Sequence, residues 1–259
     1  MQVDRNRVAV VTGASSGIGA AIARRLARDG WSCVLLARRE ERLRAVAEEV
    51  GGEFELCDVG DEESVARAAG AVLDRHPRVS LLVNNAGIPG RRGFLEIETK
   101  RLEEVLRTNY LGGVWCLRAF LPGLEAAAPD AHVVNLVSVA GTVAFAPSGP
   151  YSASKHAQLA FSRASAAELR PRGIRVHTIL PGFVETEGFP QRTALRSRFF
   201  RGRVIAPEHV ADRVAKAIAD GDREVFVPAW YRVFALAQTL TPGLVARVAA
   251  RSGYRRRSG

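Results

Sequence analysis

Tyr151-Ser152-Ala153-Ser154-Lys155 carries a phenol and an ammonium at i and i+4, which is one face of one helix. A free phenol has a pKa of about 10 and is a poor base at neutral pH. A cation beside it favours the phenolate. Lowering the pKa by about 2–3 units corresponds to roughly 3–4 kcal/mol of preferential stabilisation of the anion. Charges at close range in a partly dry site supply that much. Such a pair moves a proton to or from an oxygen that changes between carbonyl and alcohol. The same chemistry needs a hydride donor and a group that holds the developing oxyanion. Ser138, at the end of an apolar run ahead of the pair, offers a hydroxyl for the second task. Taken singly these residues say little: Tyr-x3-Lys recurs by chance, Tyr151 reads as a core aromatic and Ser138 as a strand-end cap.

A hydride donor implies a nucleotide site, and one candidate stands near the N-terminus. Thr12-Gly13-Ala14-Ser15-Ser16-Gly17-Ile18-Gly19 follows a short apolar run and opens a helical pattern. A turn from strand to helix N-terminus gathers free backbone amides and the positive end of the helix dipole, which suits a pyrophosphate. Gly13 and Gly17 let the backbone turn tightly, and Gly19 lets helix and sheet pack closely. The spacing is G-x3-G-x-G, not the usual dinucleotide G-x-G-x-x-G.

The elements that must position these residues alternate along the chain. Apolar runs at Arg7–Val11, Ser32–Leu36, Leu81–Val83, His132–Val137, Arg175–Ile179 and Glu224–Val227 read as strands buried on both faces, with Phe54–Leu56 as a further short one. Helical patterns lie between them at Gly19–Asp29, Glu41–Val50, Ser64–Arg75, Thr99–Leu121, Tyr151–Leu169 and Pro207–Asp220. This is the pattern of βαβ units and a parallel sheet covered on both faces. No internal repeat or low-complexity linker interrupts it. The expected architecture is one doubly wound α/β domain over residues 1–259, with a core at 7–227. Two segments stand outside the alternation, 183–204 and 228–259.

The octet TGASSGIG resembles the glycine motif of the short-chain dehydrogenases/reductases, and later motifs match that family in order and spacing from about Arg7 to Val227. The resemblance implies a Rossmann fold with a seven-stranded parallel sheet and ligand at the carboxyl ends of the strands. It implies cofactor contacts at Gly13, Ser15, Ser16, Gly17, Ile18 and Gly19. Asp58, followed by Val59, would accept from the adenine amino group. Asn85, Ala86 and Gly87 would support the adenosine side. Pro181, Gly182, Val184 and Thr186 match P-G-x-V-x-T, where the Val184 backbone and the Thr186 hydroxyl would hold the nicotinamide carboxamide. Asn109 matches the family asparagine that props a water leading from Lys155 to solvent; otherwise it reads as a polar kink in a helix. Tyr151 and Lys155 would serve both catalysis and cofactor binding, with Lys155 protonated and on the nicotinamide ribose. Together Asn109, Ser138, Tyr151 and Lys155 form the expected catalytic set.

The choice of nicotinamide cofactor follows from charge. An NAD-specific site carries an acid at the end of the second strand, to accept from the ribose 2′-OH. Here Ala37 stands at that place, followed by Arg38 and Arg39. Guanidinium groups there clamp a 2′-phosphate through charge-assisted hydrogen bonds, so NADP(H) is expected over NAD(H). The plainer reading is a surface helix start with Glu40 and Glu41 as partners. Two other functional classes are weighed against the oxidoreductase: a non-catalytic NADP(H)-binding sensor, and an epimerase or dehydratase of the same superfamily. The first would lack part of the catalytic set. The second carries a larger sugar-nucleotide domain than the roughly 30 residues after the last strand provide.

Composition bounds partners and setting. The formal net charge of +10 comes mostly from arginines in 191–203 and 228–259, without interleaved aromatics or a nucleic-acid module, so no nucleic acid is expected. Three scattered cysteines, Cys33, Cys57 and Cys116, suggest inert thiols in a reducing, cytoplasmic setting, and no cluster has metal-ligand spacing. The N-terminus shows no signal-peptide pattern, and no apolar run is long enough to span a membrane. A homodimer or homotetramer is expected by resemblance, with Thr99–Leu121 and Tyr151–Leu169 at two-fold interfaces through Leu111, Val114, Ala157 and Ala160. The substrate should be small and lipophilic, since 139–149 and 183–204 should line its pocket and the former is mostly apolar. Arg192, Arg196, Arg198, Arg201 and Arg203 suit either a phosphopantetheine or CoA thioester, or a solvated lid. From Pro228 onward there are six arginines and no acid, and an apolar stripe that Pro242 should break. Two readings stand open: a peripheral helix on an anionic membrane, or a helix packed over the substrate pocket or a partner subunit.

Overall fold

The computed structural model describes residues 4–90, 92–144, 148–189, 191 and 201–251. Phe145-Ala146-Pro147 of the expected pocket wall, Arg192, Arg196 and Arg198 of the expected loop, and the terminal Arg255-Arg256-Arg257 lie outside them.

Seven parallel strands form one sheet in the order β3-β2-β1-β4-β5-β6-β7. They are β1 Asp4–Thr12, β2 Trp31–Ala37, β3 Glu53–Leu56, β4 Leu81–Asn84, β5 Ala131–Leu136, β6 Ile174–Pro181 and β7 Glu224–Val227. Each expected strand is present, longer by one to three residues at most ends. Period-two alternation divides the core. Ala9, Val11, Leu35, Val83, Leu136 and Ile179 face a layer built on α1 Gly17–Arg28, α2 Glu40–Val50 and α7 Pro207–Asp220. Val8, Val10, Val34, Leu82, Val133 and Val176 face the other layer, built on α3 Glu62–Arg75, α5 Gly112–Ala127 and α6 Gly149–Leu169. Strand order reverses between β1 and β4, so their carboxyl ends open a crevice at that point.

The expected single helix over Thr99–Leu121 is corrected in two ways. It is α4 Thr99–Leu106, a π turn at Arg107–Leu111 and then α5, which runs through Pro122 to Ala127. Phe120, Gly123, Leu124 and Ala127 are buried against the sheet on both sides of Pro122, and that packing holds the helix together past the proline. Of the residues expected at a subunit interface, Leu111, Val114 and Ala157 are half-buried in the single chain and Ala160 is exposed. After β7 come α8 Tyr231–Leu240 and α9 Pro242–Arg251; the helix breaks at Pro242, as its sequence predicts.

A buried polar chain crosses the sheet below the crevice. Asn84 Nδ2 donates to Asn135 Oδ1 (3.0 Å), Asn135 Nδ2 to Ser162 Oγ (2.9 Å), and the Ser162 hydroxyl meets that of Thr178 at 2.7 Å. It joins β4, β5, β6 and α6. In the same two strands β5 and β6, His177 Nδ1 lies 2.6 Å from the Asp222 carbonyl, which only accepts. The network therefore gives His177 an unprotonated Nε2, which accepts from His132 Nδ1 at 2.9 Å. Both imidazoles are neutral and buried, and burial first, then His177, pushes His132 down to about 4.

Candidate active site

The glycine turn is held by side chains rather than by itself. Thr12 Oγ1 donates to the Val83 carbonyl (3.1 Å) and accepts from the amides of Asn85 (3.0 Å) and Ala86 (3.1 Å). Asn85 Nδ2 donates back to the carbonyls of Thr12 (2.9 Å) and Gly13 (3.3 Å). Gly13 and Gly17 have φ of +66° and +58°, a region a side chain strains. A Cβ on Gly19 would fall 2.4 Å from the Gly13 carbonyl oxygen, so helix and turn meet only because that residue is glycine. Ser16 is the N-cap of α1, yet its side chain caps no helix amide. The first-turn amides and the positive end of the dipole therefore remain available to an anion, as a dinucleotide pyrophosphate requires.

At the end of β2, Ala37 leaves room and the two arginines diverge. Arg38 pairs with Asp58 (3.4 Å), whose other oxygen accepts from the Gly60 amide (2.9 Å). Arg39 reaches the hydroxyls of Ser15 (3.1 Å) and Ser16 (2.6 Å) in the glycine turn, and pairs loosely with Glu187 (3.8 Å). Arg42 also pairs with Glu187. Two guanidinium groups thus border the place where a 2′-phosphate would sit, with no acid on Ala37. The donor set fits NADP(H). Asp58, expected at the adenine, is here the partner of Arg38.

The segment after β6 folds back over the turn. Val184 bridges to Ile205, and a Cβ on Gly17 would lie 3.1 Å from Thr186 Cγ2. Thr186 Oγ1 accepts from the Phe189 amide (3.2 Å).

Ser138, Tyr151 and Lys155 converge from β5 and α6. The Ser138 hydroxyl donates to the Pro181 carbonyl (3.4 Å) and accepts from the Ala140 amide (3.1 Å), so it caps the turn at Val139–Gly141 as well as lining the crevice. Lys155 Nζ lies 5.9 Å from the centre of the Tyr151 ring. It is 3% exposed and donates to the Leu136 carbonyl (2.9 Å) and to Gln158 Oε1 (2.6 Å). Burial pushes its pKa down to about 7. The chemistry wants an ammonium there, and the fold opposes it.

Asn109 sits on the π turn and is buried. Its Oδ1 accepts from the Ile88 amide (2.7 Å), and its Nδ2 donates to the Ile88 carbonyl (3.0 Å) and to Ser154 Oγ (3.0 Å). Ser154 in turn donates to the Tyr151 carbonyl (2.8 Å). Asn109 therefore ties the loop after β4 to α6. A Cβ on Gly87 would stand 3.3 Å from Asn109 Oδ1 and 3.8 Å from Lys155 Nζ, so the three groups surround one point.

A single cavity of about 1380 Å³ joins these parts. The site residues expected from sequence all line it except Gly19 and Asn109, which sit one layer behind. Beyond Tyr151 its wall is apolar: Val139, Val143, Phe183, Phe189, Tyr231 and Phe234, with Leu244 and Val245 from α9. Tyr231 packs on Gly182, where a Cβ would fall 2.0 Å from its ring, and stacks on Trp230 at 3.9 Å between centroids. The guanidinium of Arg203 lies 5.8 Å from the Trp230 ring, which ties the 183–204 segment to α8. One face of the C-terminal helices thus covers the pocket, as one of the two readings of that segment anticipated. Sequence reasoning missed Gln158; Phe189 falls in the 183–204 segment expected at the pocket, and Ser154 stood outside the expected catalytic set. Only the i+3 spacing of Gln158 from Lys155 could have drawn attention to it.

The short chain dehydrogenase family model matches residues 7–195. The farnesol dehydrogenase of Aedes aegypti is 40% identical over 196 residues, covering 71% of this chain and 80% of that protein. The 1-deoxy-11-beta-hydroxypentalenate dehydrogenase of Streptomyces exfoliatus is 37% identical over 201 residues, covering 74% and 72%. Among solved structures, a variant of actinorhodin polyketide ketoreductase with NADPH superposes with a TM-score of 0.79 at 31% identity, covering 88% of this chain and 97% of that one.

Proposed function

The chain belongs to the short-chain dehydrogenase/reductase family, and we propose that it interconverts a lipophilic ketone or aldehyde, or a 3-oxoacyl thioester, with the corresponding alcohol using NADP(H). The observation that carries this reading is the single cavity that runs from the uncapped start of α1, past Tyr151 and Lys155, to an apolar wall. The relatives named for farnesol, a hydroxypentalenate and a polyketide support a lipophilic substrate.

Bound NADPH would supply a hydride to the carbonyl carbon, and NADP⁺ would accept one in reverse. The first turn of α1 would hold the pyrophosphate, Arg38 and Arg39 the 2′-phosphate, and Val184 with Thr186 the carboxamide. The Ser138 hydroxyl, already a donor to Pro181, would turn to the substrate oxygen. As that oxygen gains negative charge, the Tyr151 hydroxyl gives up its proton and becomes phenolate. In its ammonium form, Lys155 lowers the cost of that phenolate. Asn109 fixes the start of α6 through Ser154, so Tyr151 does not have to be ordered at the moment of reaction.

Tyr151→Phe removes only the hydroxyl. Turnover of a carbonyl panel should fall by about 10²–10⁴-fold while NADPH affinity stays within about threefold. Activity above about a tenth of the unmutated protein would remove Tyr151 from this role. An intact protein that binds NADPH but oxidises it with no carbonyl in a broad panel would favour the sensor reading instead.

A further inference from the structure

The first of the two C-terminal helices, α8, is apolar on both sides. Tyr231, Phe234 and Ala237 of this helix, with Thr241 just after it, line the cavity. Val233, Leu236 and Leu240, at i, i+3 and i+7, turn outward and are 66%, 55% and 77% exposed. Among the described residues eight large hydrophobics are exposed, and five of them fall between Val233 and Leu244; Phe234 and Leu244 border the cavity, and the other three form the outward stripe. An isolated exposed leucine needs no account, but a helical stripe of them does. The inward face alone accounts for packing over the pocket. Among the described residues it leaves this second stripe uncovered.

Charge identifies what fits the stripe. Arg232 and Arg247 are exposed on the two helices, Arg251 ends the second, and neither helix carries an acidic residue. A second copy of the same face would bring these arginines against one another. An anionic partner meets them favourably. The helices are 10 residues each, against about 20 for a span, so the geometry is that of a helix lying in an interface. An apolar stripe with basic flanks is what binds such an interface. We propose that α8 and α9 dock this protein on an anionic lipid surface, with the stripe Val233-Leu236-Leu240 in the headgroup–acyl boundary. The opposite face, which forms the pocket wall, then points away from the bilayer, with the helix between the two. The docking stands whether or not the substrate reading above is right.

The test is co-sedimentation of the full chain with sucrose-loaded vesicles of phosphatidylcholine, with and without about one-third phosphatidylserine. Binding is expected to the anionic vesicles only, and to weaken as salt screens the arginines; each arginine near the surface is worth about fivefold. A Val233→Ser/Leu236→Ser/Leu240→Ser variant should partition at least about tenfold less. These residues do not line the cavity, so NADPH titration and thermal melting serve as checks on its fold. Should that variant fail to fold, Arg232→Glu/Arg247→Glu keeps the stripe and should lose anionic selectivity. Failure of the intact protein to bind anionic vesicles at low ionic strength overturns the proposal. So does undiminished binding by both variants. A triple variant that loses oligomer mass by light scattering while vesicle binding is unchanged would give the stripe to a second copy.

Discussion

Gln158→Leu should shift the pH dependence of cofactor capture rather than simply lower activity. Lys155 is fully surrounded by protein, and burial alone takes its pKa from the ordinary lysine value of 10.5 to about 7. Among the described residues its ammonium donates to two carbonyl oxygens, one from the backbone of Leu136 and one from the side chain of Gln158 at 2.6 Å. A hydrogen bond to a charged group contributes about 1.5–3 kcal/mol, which is about 1–2 pH units. Leucine is of similar volume and accepts nothing. The ammonium should therefore be lost at pH about 5–6 in the variant instead of about 7. The sign is fixed by the group: a lysine with a depressed pKa is charged below that pKa, so activity that needs the ammonium falls as pH rises through it. Because kcat/KM for NADPH reports the free enzyme, its alkaline limb should move to lower pH by about 1–2 units. At pH about 7.5 the variant should be roughly 10–100-fold less active, with most of the loss recovered on acidification. Gln158→Glu, which offers a carboxylate at the same reach, should move the limb the other way. NADPH fluorescence titration across the same pH range gives a readout free of turnover. A uniform loss at every pH, with the limb unmoved, would make Gln158 a packing residue and refute the argument.

Other perturbations probe the neighbouring parts. Arg38→Asp should weaken NADPH binding by a few kcal/mol and NADH binding far less; its exposed ion pair with Asp58 is worth under about 1 kcal/mol, so the melting temperature should barely move. Equal loss of both cofactors would assign Arg38 a structural part only. Asn135→Ala removes the middle of the buried chain between Asn84 and Ser162, and should lower the unfolding free energy in urea by about 2–4 kcal/mol; a change below about 1 kcal/mol would mean the chain is dispensable. His132 is held neutral, with its pKa down from 6.5 to about 4. The unfolded chain then binds more protons in that window, and stability should fall by about 3 kcal/mol as pH drops from 6.5 to 4. His132→Gln should flatten that acid slope, and an unchanged slope would clear the histidine pair. Light scattering at micromolar concentration should give a homodimer or homotetramer, and a monomer would overturn that expectation.

What sequence could tell depended on how local each signal was. The strands were legible because burial on both faces demands continuous apolar runs, and the nucleotide turn because positive φ demands glycine at positions 13 and 17. The helix around Asn109 was misread. A π turn has no residue signature of its own, and tertiary packing carries α5 past Leu121 through Pro122 to Ala127. The state of Lys155 was out of reach for a deeper reason. Its i+4 spacing from Tyr151 says which face it shares, but not that burial there would halve its charge at neutral pH. That depends on Leu136, Asn109, Gly87 and Gln158 arriving from separate parts of the chain. The motif names the reacting groups, and the fold around it decides at what pH they can react. The same division explains the C-terminal helices. Their composition raised pocket and lipid as rivals, because a one-dimensional stripe cannot say how many faces it has. Tyr231 and Phe234 turn to the cavity while Val233, Leu236 and Leu240 turn away, so two faces of one short helix satisfy both demands.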